Sequence, residues 1–280
     1  MAEVTTVVMT RSRWPDLRRS LARHPGPVIV VDNGSEDDSP RLVRRHFPDV
    51  DVVELGRNLG AVARNVGVQR ARTPYVAFAD DDSWWQPGAL ERAAEHFEAF
   101  PRLGLLAARV LVGDALRLDP VSAAMRESPL GRAPDLPGPS VLGFLACGAA
   151  VRRRAFLEAG GFDDVVEMHG EEERLAWDLR DAGWGLAYID DVVAHHHPSR
   201  RPRPPDTAAR LRRNRILGAA MRRPWAGVLG ILLESFASEE GRAGVRLAVP
   251  RLWKAWRQRR LLSPLVEAEI RCLERAADVP

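Results

Sequence analysis

The sequence predicts an α/β domain with a mostly parallel central sheet, continued by a C-terminal helical extension. Three observations predict it. Over residues 1 to about 112, short apolar runs of β-type residues alternate with segments of helical spacing, the pattern of parallel strands joined by crossover helices. The runs are near-continuously apolar rather than alternating, as in a sheet covered on both faces. From about Asp206 onward, helical patterns replace the alternation.

The elements follow in order. Val4 to Met9 reads as the first strand, and Leu17 and Leu21 mark a helix after it. Val28 to Val31, in PVIVVD, reads as the second strand, followed by a helix containing Leu42 and Val43. Val50 to Leu55 is the third strand, Leu59 to Ala71 a helical segment, and Tyr75 to Ala79 the fourth strand. Gly113 to Ser140 is rich in proline and turn residues and reads as a long loop with a short helix, of the kind that forms substrate lids. VLGFLACGAAVRR reads as a strand, and RRAFLEAGGF as a short helix stopped by Gly160-Gly161. EEERLAWDLRDAG is a helix with Leu175, Leu179 and Ala182 on one stripe and Gly183 as its stop. WGLAYIDDVVAHHH is a strand running into a histidine cluster. SRRPRPPD is excluded from regular structure by its prolines and reads as a linker or flap. In the tail, RPWAGVLGILLESF and RLWKAWRQRRLL are helical, and Trp253 and Trp256 share a face amid basic residues. That suits an interfacial helix, or one packed onto the domain by its tryptophans. The expected division is 1–200 for the α/β domain and 201–280 for the basic helical extension.

Bulk properties narrow the class. The 280 residues, 45% hydrophobic and 28% charged, suffice for a core without disulfides or structural metal. Cys147 and Cys272 form no CxxC pair, so a zinc knuckle or disulfide framework is not expected. The start MAEVTTVVMT lacks a basic stretch followed by an apolar core, and no run approaches the ~18 apolar residues of a membrane span. The expectation is a cytoplasmic protein. Net charge is only +3, but arginine dominates the last third, in SRRPRPP, RLRRNR, MRRPW and RLWKAWRQRR. Such runs fit nucleic acid, anionic lipid or a phosphorylated substrate, or simply a solvated surface.

Chemistry concentrates where the strands end. The first strand ends at Thr10 and Arg11, the second at Asp32, Asn33, Gly34 and Ser35, the third at Gly56, Arg57 and Asn58, and the fourth at Asp80, Asp81 and Asp82. In an open parallel sheet these carboxyl ends lie along one edge, where ligands bind. Turn chemistry explains Asn33-Gly34 but does not require three consecutive aspartates. Three unpaired carboxylates repel one another, and a divalent cation relieves them; oxygen donors suit magnesium or manganese, whose remaining positions go to phosphates and water. Glu171, Glu172 and Glu173 follow Gly170 at a helix start. Helix-dipole stabilisation alone accounts for them, and a general base for an acceptor hydroxyl is the functional alternative. His195, His196 and His197 fit either metal ligation or a solvated loop.

Four segments together resemble the family-two glycosyltransferases of the GT-A fold, over Val4 to about His197. They are VVDNGSEDDS, GRNLGAVARNVGVQRA at 56 to 71, YVAFADDDSWWQPGAL with its DxD-type motif, and GGFDDVVEMHGEEERLAWDLRDAGW at 160 to 184. The resemblance implies a Rossmann-like domain and a metal-dependent hexosyl transfer, with inversion, from a nucleoside-diphosphate sugar to an acceptor hydroxyl. It implies that Thr10, Arg11 and Asp32, with Asn33 beside them, hold the base and ribose, and that Arg64 and Asn65 line the nucleotide pocket. Asp80, Asp81 and Asp82 take the place of the DxD, with Asp82 as the foremost ligand of a manganese or magnesium ion. Glu171-Glu172 stands where the family often has Glu-Asp, with Glu172 as the base and Glu171 as the alternative. A histidine past the last strand completes the metal site; His196 is favoured, with His195 and His197 as alternatives.

Other classes fit less of the sequence. A sugar nucleotidyltransferase needs a glycine-rich basic N-terminal loop, which TRSRWPD does not supply. A non-catalytic nucleotide-sugar-binding or scaffold protein on the same fold would have little use for both acidic clusters. No nucleic-acid module accompanies the basic tail, so nucleic acid is not an expected partner. The expected partners are a sugar nucleotide and a glycan, lipid-linked or small-molecule acceptor. The tail adds peripheral association with an anionic membrane, on the inner face of the cell membrane.

Overall fold

The computed structural model describes residues 3–199 and 204–277, so 200–203 of the expected flap, and with them the 200/201 domain boundary, lie outside the described residues. The first half alternates as the apolar pattern requires: β1 (Val4–Thr10), α1 (Trp14–Leu21), β2 (Val28–Asp32), α2 (Ser39–His46), β3 (Asp51–Glu54), α3 (Ala63–Arg70) and β4 (Tyr75–Asp80). Then come β5 (Ser83–Trp85), α4 (Ala89–Ala99), β6 (Leu103–Val112), β7 (Arg117–Leu118) and α5 (Pro120–Arg126). After a long connection follow β8 (Ala149–Arg152), α6 (Arg153–Glu158), α7 (Glu171–Asp181) and β9 (Gly185–His196). The tail forms α8 (Thr207–Arg222), α9 (Trp225–Phe236), α10 (Glu239–Ala248), α11 (Leu252–Arg257) and α12 (Pro264–Ala277).

The strands form one sheet in the order β3-β2-β1-β4-β8-β6-β9-β5, with β7 beside β6. The β3-β2-β1-β4 half is parallel throughout, and β6 runs parallel to β9. β8, β5 and β7 pair antiparallel. Side chains alternate across the strands, so each face has its own core. Val7, Ile29, Val31, Val76 and Phe78 pack under α3, α6 and α7. Val8, Val30 and Ala79 pack under α1 and α2, and Tyr75, Ala77 and Leu106 under α4. Burial on both faces explains the unalternating apolar runs.

Two segments depart from the sequence reading. VLGFLACGAAVRR is not one strand: Ala146–Gly148 is a 3-10 turn and only Ala149–Arg152 pairs, because Gly148 lies so close to Val110 that a Cβ there would sit 2.4 Å from its side chain. On α7, Leu175 and Leu179 are buried but Ala182 is exposed, since the helix stops at Asp181 and Gly183 turns the chain at φ 90°. The tail arginines divide between solvent and the interior, with Arg246, Arg257 and Arg260 exposed. Arg222 pairs with Asp178 at 2.6 Å, Arg223 with Glu267 at 3.0 Å and Arg213 with Glu167 at 3.4 Å, all three arginines being buried. Buried guanidinium groups need such partners.

A titration test of this packing comes from His24, just after α1. Both of its ring nitrogens are buried, and burial pushes its pKa down to about 4, from an ordinary value of 6.5. Between those values the unfolded chain binds a proton that the native chain refuses. Stability is therefore unaffected above the upper value and falls as pH drops through the window, by up to about 1.4 kcal/mol per pH unit. Denaturant titrations between those two pH values should show this slope in the wild type and a shallower one in His24→Gln.

Candidate functional site

Parallel register brings the strand ends to one edge. Thr10 lies opposite Asp32, and Met9 opposite Asp80. The loops beyond them are tied together by side chains. Asp32 accepts from the Ser35 hydroxyl and, at 3.1 Å, from its backbone N–H, closing a turn that needs Gly34 at φ 77°. A Cβ on Gly34 would sit 2.6 Å from the Arg57 backbone, so the loops after β2 and β3 meet only because that position is glycine. Asn33 accepts from Leu59 N–H at 2.7 Å and donates to the Gly60 carbonyl at 3.1 Å. It clamps two loops. Asn65 does the same further on, with both ends of its amide on the Phe162 backbone at 2.8 and 3.0 Å. Arg11 is exposed and reaches the Gly34 carbonyl and Glu36.

The aspartate triplet turns from β4 into β5. Asp81 and Asp82 are buried and Asp80 partly so. Arg13, in the loop after β1, bridges two of them, reaching Asp81 at 2.9 Å and Asp82 at 2.9 Å. Thr10 donates to Asp81 at 3.1 Å. Burial, with the charges of Asp82 and Asp80 adding to it, pushes the Asp81 carboxyl up to about 8 against the pull of Arg13. Burial works in the same direction on Asp82, but His196 and Arg13 outweigh it and hold that carboxylate below its ordinary value. Arg13 was not singled out from the sequence. Its signal was there: a second arginine in TRSRWPD, on the strand-end loop beside the one carrying three carboxylates.

The histidine triplet is divided by strand alternation. In β9 against β5, Ser83 pairs with His196 and Trp84 with His195. The His196 ring lies 3.5 Å from Asp82. Burial alone would lower its pKa, but Asp82 raises it above the ordinary value. His195 and His197 instead pack on Trp84, with ring centroids 5.5 and 4.7 Å away, and Arg23 caps the same indole at 4.4 Å.

Arg64 joins the aspartates to the glutamates. It is only 2% exposed and reaches Asp80 at 2.6 Å and Glu171 at 3.9 Å. Glu171 is buried at the start of α7, and burial together with the neighbouring Glu172 raises its pKa well above the carboxylate range. Glu172, one residue on, is half-buried, at a helix N-terminus that favours negative charge. Truncating Arg64 leaves buried carboxylates without their cation. Arg64→Met is expected to cost about 3–5 kcal/mol in denaturant unfolding, and Arg64→Lys, which keeps the charge but not the fork, less.

The chain reaches Glu171 through His169 at φ 71° and Gly170 at φ 96°, two consecutive left-handed residues. The tail holds this turn. Asn214 of α8 donates to the carbonyls of Met168 and His169 at 2.6 and 2.7 Å, and Arg251 and Lys254 pair with Glu167 and Asp164 just before it. Val165 and Val166 are buried in one cluster with α8, α9 and α10. The sequence reading did not reach these braces, because a lone Asn inside an arginine-rich helix carries no pattern.

Among the described residues, no three His, Cys, Asp or Glu side chains are arranged to hold a metal ion by themselves. The donor set nevertheless fits a cation that shares its ligands with phosphate. Asp82 and His196 supply an oxygen and a nitrogen 3.5 Å apart, beside a buried Asp81 oxygen whose partner in this structure is the Arg13 guanidinium at 2.9 Å.

A doubly covered sheet with acidic loops along its carboxyl edge is an open α/β frame of the kind that takes ligands at that edge, and solved structures share it. A mannosyltransferase from Pyrobaculum calidifontis, in complex with GDP-Man and Mn2+, superposes with a TM-score of 0.61 at 20% identity, over 98% of this chain and 86% of that one. S. aureus TarS 1-349, in complex with UDP-GlcNAc, gives 0.62 at 15% identity, over 95% of this chain and 83% of that one. The fold is GT-A. The Glycosyl transferase family 2 profile matches residues 7–161, and the chain belongs to that family. Its relatives in Mycobacterium tuberculosis include a pre-mycofactocin glycosyltransferase, 34% identical over 204 residues, 70% of this chain and 43% of the relative. Another is an N-acetylglucosaminyl-diphospho-decaprenol L-rhamnosyltransferase, 28% identical over 241 residues, 70% of this chain and 77% of the relative. This chain thus spans less than half of the first relative's length.

Proposed function

We propose that this protein transfers a hexosyl group from a nucleoside-diphosphate sugar to an acceptor hydroxyl, with inversion, at the edge bounded by Asp32, Asp82 and Glu172. The observation that carries the reading is the Arg64 bridge: one buried cation aligns the aspartate loop and the glutamate helix start, so donor and acceptor chemistry share a fixed geometry. Asp32, Thr10 and Arg11 border the end of the crevice that suits base and ribose. Asp82, Asp80 and His196 would hold a manganese or magnesium ion. When bound, such an ion offsets the negative charge that develops on a departing diphosphate.

The proton of the acceptor hydroxyl goes to Glu172. Its neighbour Glu171 is buried and driven toward the neutral acid, whereas Glu172 is the accessible member of the pair. The acceptor oxygen attacks the anomeric carbon as the bond to the diphosphate breaks, so configuration inverts in one step. Ordered loops clamped by Asn33 and Asn65 supply the orientation. The relative named as acting on a diphospho-decaprenol supports a lipid-linked acceptor, and with it work at a membrane surface.

Proton NMR of a transfer reaction tests inversion: an α-linked donor should give a β-linked product, and retained configuration would rule out the single displacement.

A further inference from the structure

Along one face of α9, Trp225, Leu229, Leu233 and Phe236 are exposed to solvent. Trp253 and Trp256 of α11 join them, 69% and 57% exposed, with Trp225 and Trp256 stacked at 5.9 Å. These two helices, with α8 and α10, line an apolar cavity of about 390 Å³ whose walls include Trp225, Trp253 and Trp256. The tryptophans face outward, where the packed alternative would have buried them.

The surroundings are basic. Residues 241–262 carry Arg242, Arg246, Arg251, Lys254, Arg257, Arg259 and Arg260 and no acidic residue. Arg251 and Lys254 are committed to Glu167 and Asp164. Arg246 and Arg257 are exposed and have no acidic partner among the described residues, while Arg259 lies over the Trp225 ring at 4.3 Å. Exposed tryptophan beside unpaired arginine is the composition of a bilayer interface, where the indole sits at headgroup depth and the guanidinium meets phosphate. Among the described residues no helix is long and apolar enough to cross a membrane, so this face would lie on a bilayer.

We infer that the α9–α11 face docks on an anionic phospholipid bilayer. The inference deepens the proposed use of a lipid-linked acceptor, because Lys254 of α11 and Arg251 just before that helix pair with Asp164 and Glu167, ahead of the turn that leads to Glu172. A docked tail thus fixes the acceptor base relative to the membrane.

Vesicle co-sedimentation of the full chain tests this without any catalytic readout, so its failure leaves the transferase reading standing. Binding is expected to vesicles of phosphatidylcholine mixed with phosphatidylglycerol, weakened by salt, and absent with phosphatidylcholine alone. Trp253→Ala/Trp256→Ala should lower the partition at least about tenfold, and Arg257→Gln about fivefold. In the unmodified protein, brominated lipid should quench tryptophan fluorescence, which keeps the test valid if a variant misfolds. No binding of the wild type to mixed vesicles would overturn the inference. So would a dimer that the tryptophan variant dissociates while wild-type fluorescence stays unquenched, which would assign the face to a second copy of the chain.

Discussion

Glu172→Gln is expected to lower kcat by about 10²–10⁴-fold while leaving donor affinity unchanged, because it removes only the group that takes the acceptor proton. Glu171→Gln should lose far less. Burial and the Glu172 charge already hold Glu171 toward its neutral form, and an amide is close to a protonated carboxyl in shape. The remaining cost would come from the perturbed contact with Arg64, which lies 3.9 Å from Glu171. Steady-state kinetics on both variants, with calorimetric donor binding as the control, distinguishes the two glutamates. Equal loss in both would mean that the pair acts as one unit; a larger loss in Glu171→Gln would reverse the assignment.

The second large effect is on metal-dependent donor binding. Asp82→Ala removes the carboxylate that lies between Arg13 and His196. Loss of an outer-shell partner already costs about 10–100-fold in metal affinity, so loss of a direct ligand should cost at least about 100-fold. His196→Ala should weaken manganese binding in the same direction. His195→Ala should not, because its ring stacks on Trp84. Manganese titration followed by electron paramagnetic resonance, with nucleoside diphosphate present, reads all three variants directly.

The parallel half of the sheet was legible because its strands are short apolar runs closed by loop residues, a pattern that few other structures produce. Asp32 and the aspartate triplet were legible for the same reason: they occupy the ends of those runs. β6 was not. Apart from Arg109, LGLLAARVLV is apolar throughout and mixes leucine and alanine, so periodicity cannot separate a buried strand from a buried helix. The three-residue β5 is too short to carry a pattern, yet its pairing with β9 is what puts His196 and His195 on opposite faces. The triplet could therefore be resolved only by register. Arg64 is named at the sequence level only through the family resemblance, as a residue of the nucleotide pocket. Its burial between Asp80 and Glu171 depends on α3 and α7 packing on the same face of the sheet, a long-range contact that no local spacing encodes. In the arginine-rich tail the charge runs do not tell apart the exposed arginines from Arg213, Arg222 and Arg223, which turn inward to carboxylates supplied by distant elements.

The central claim is that this edge binds a nucleoside-diphosphate sugar with the help of a divalent cation. Calorimetry of the wild-type protein against a panel of nucleoside diphosphates and their sugars, with and without manganese, tests it most directly. The account predicts saturable binding of one nucleotide class that requires manganese. A folded protein that binds none of the panel with manganese present would contradict it, and would leave the fold as a scaffold without a donor site.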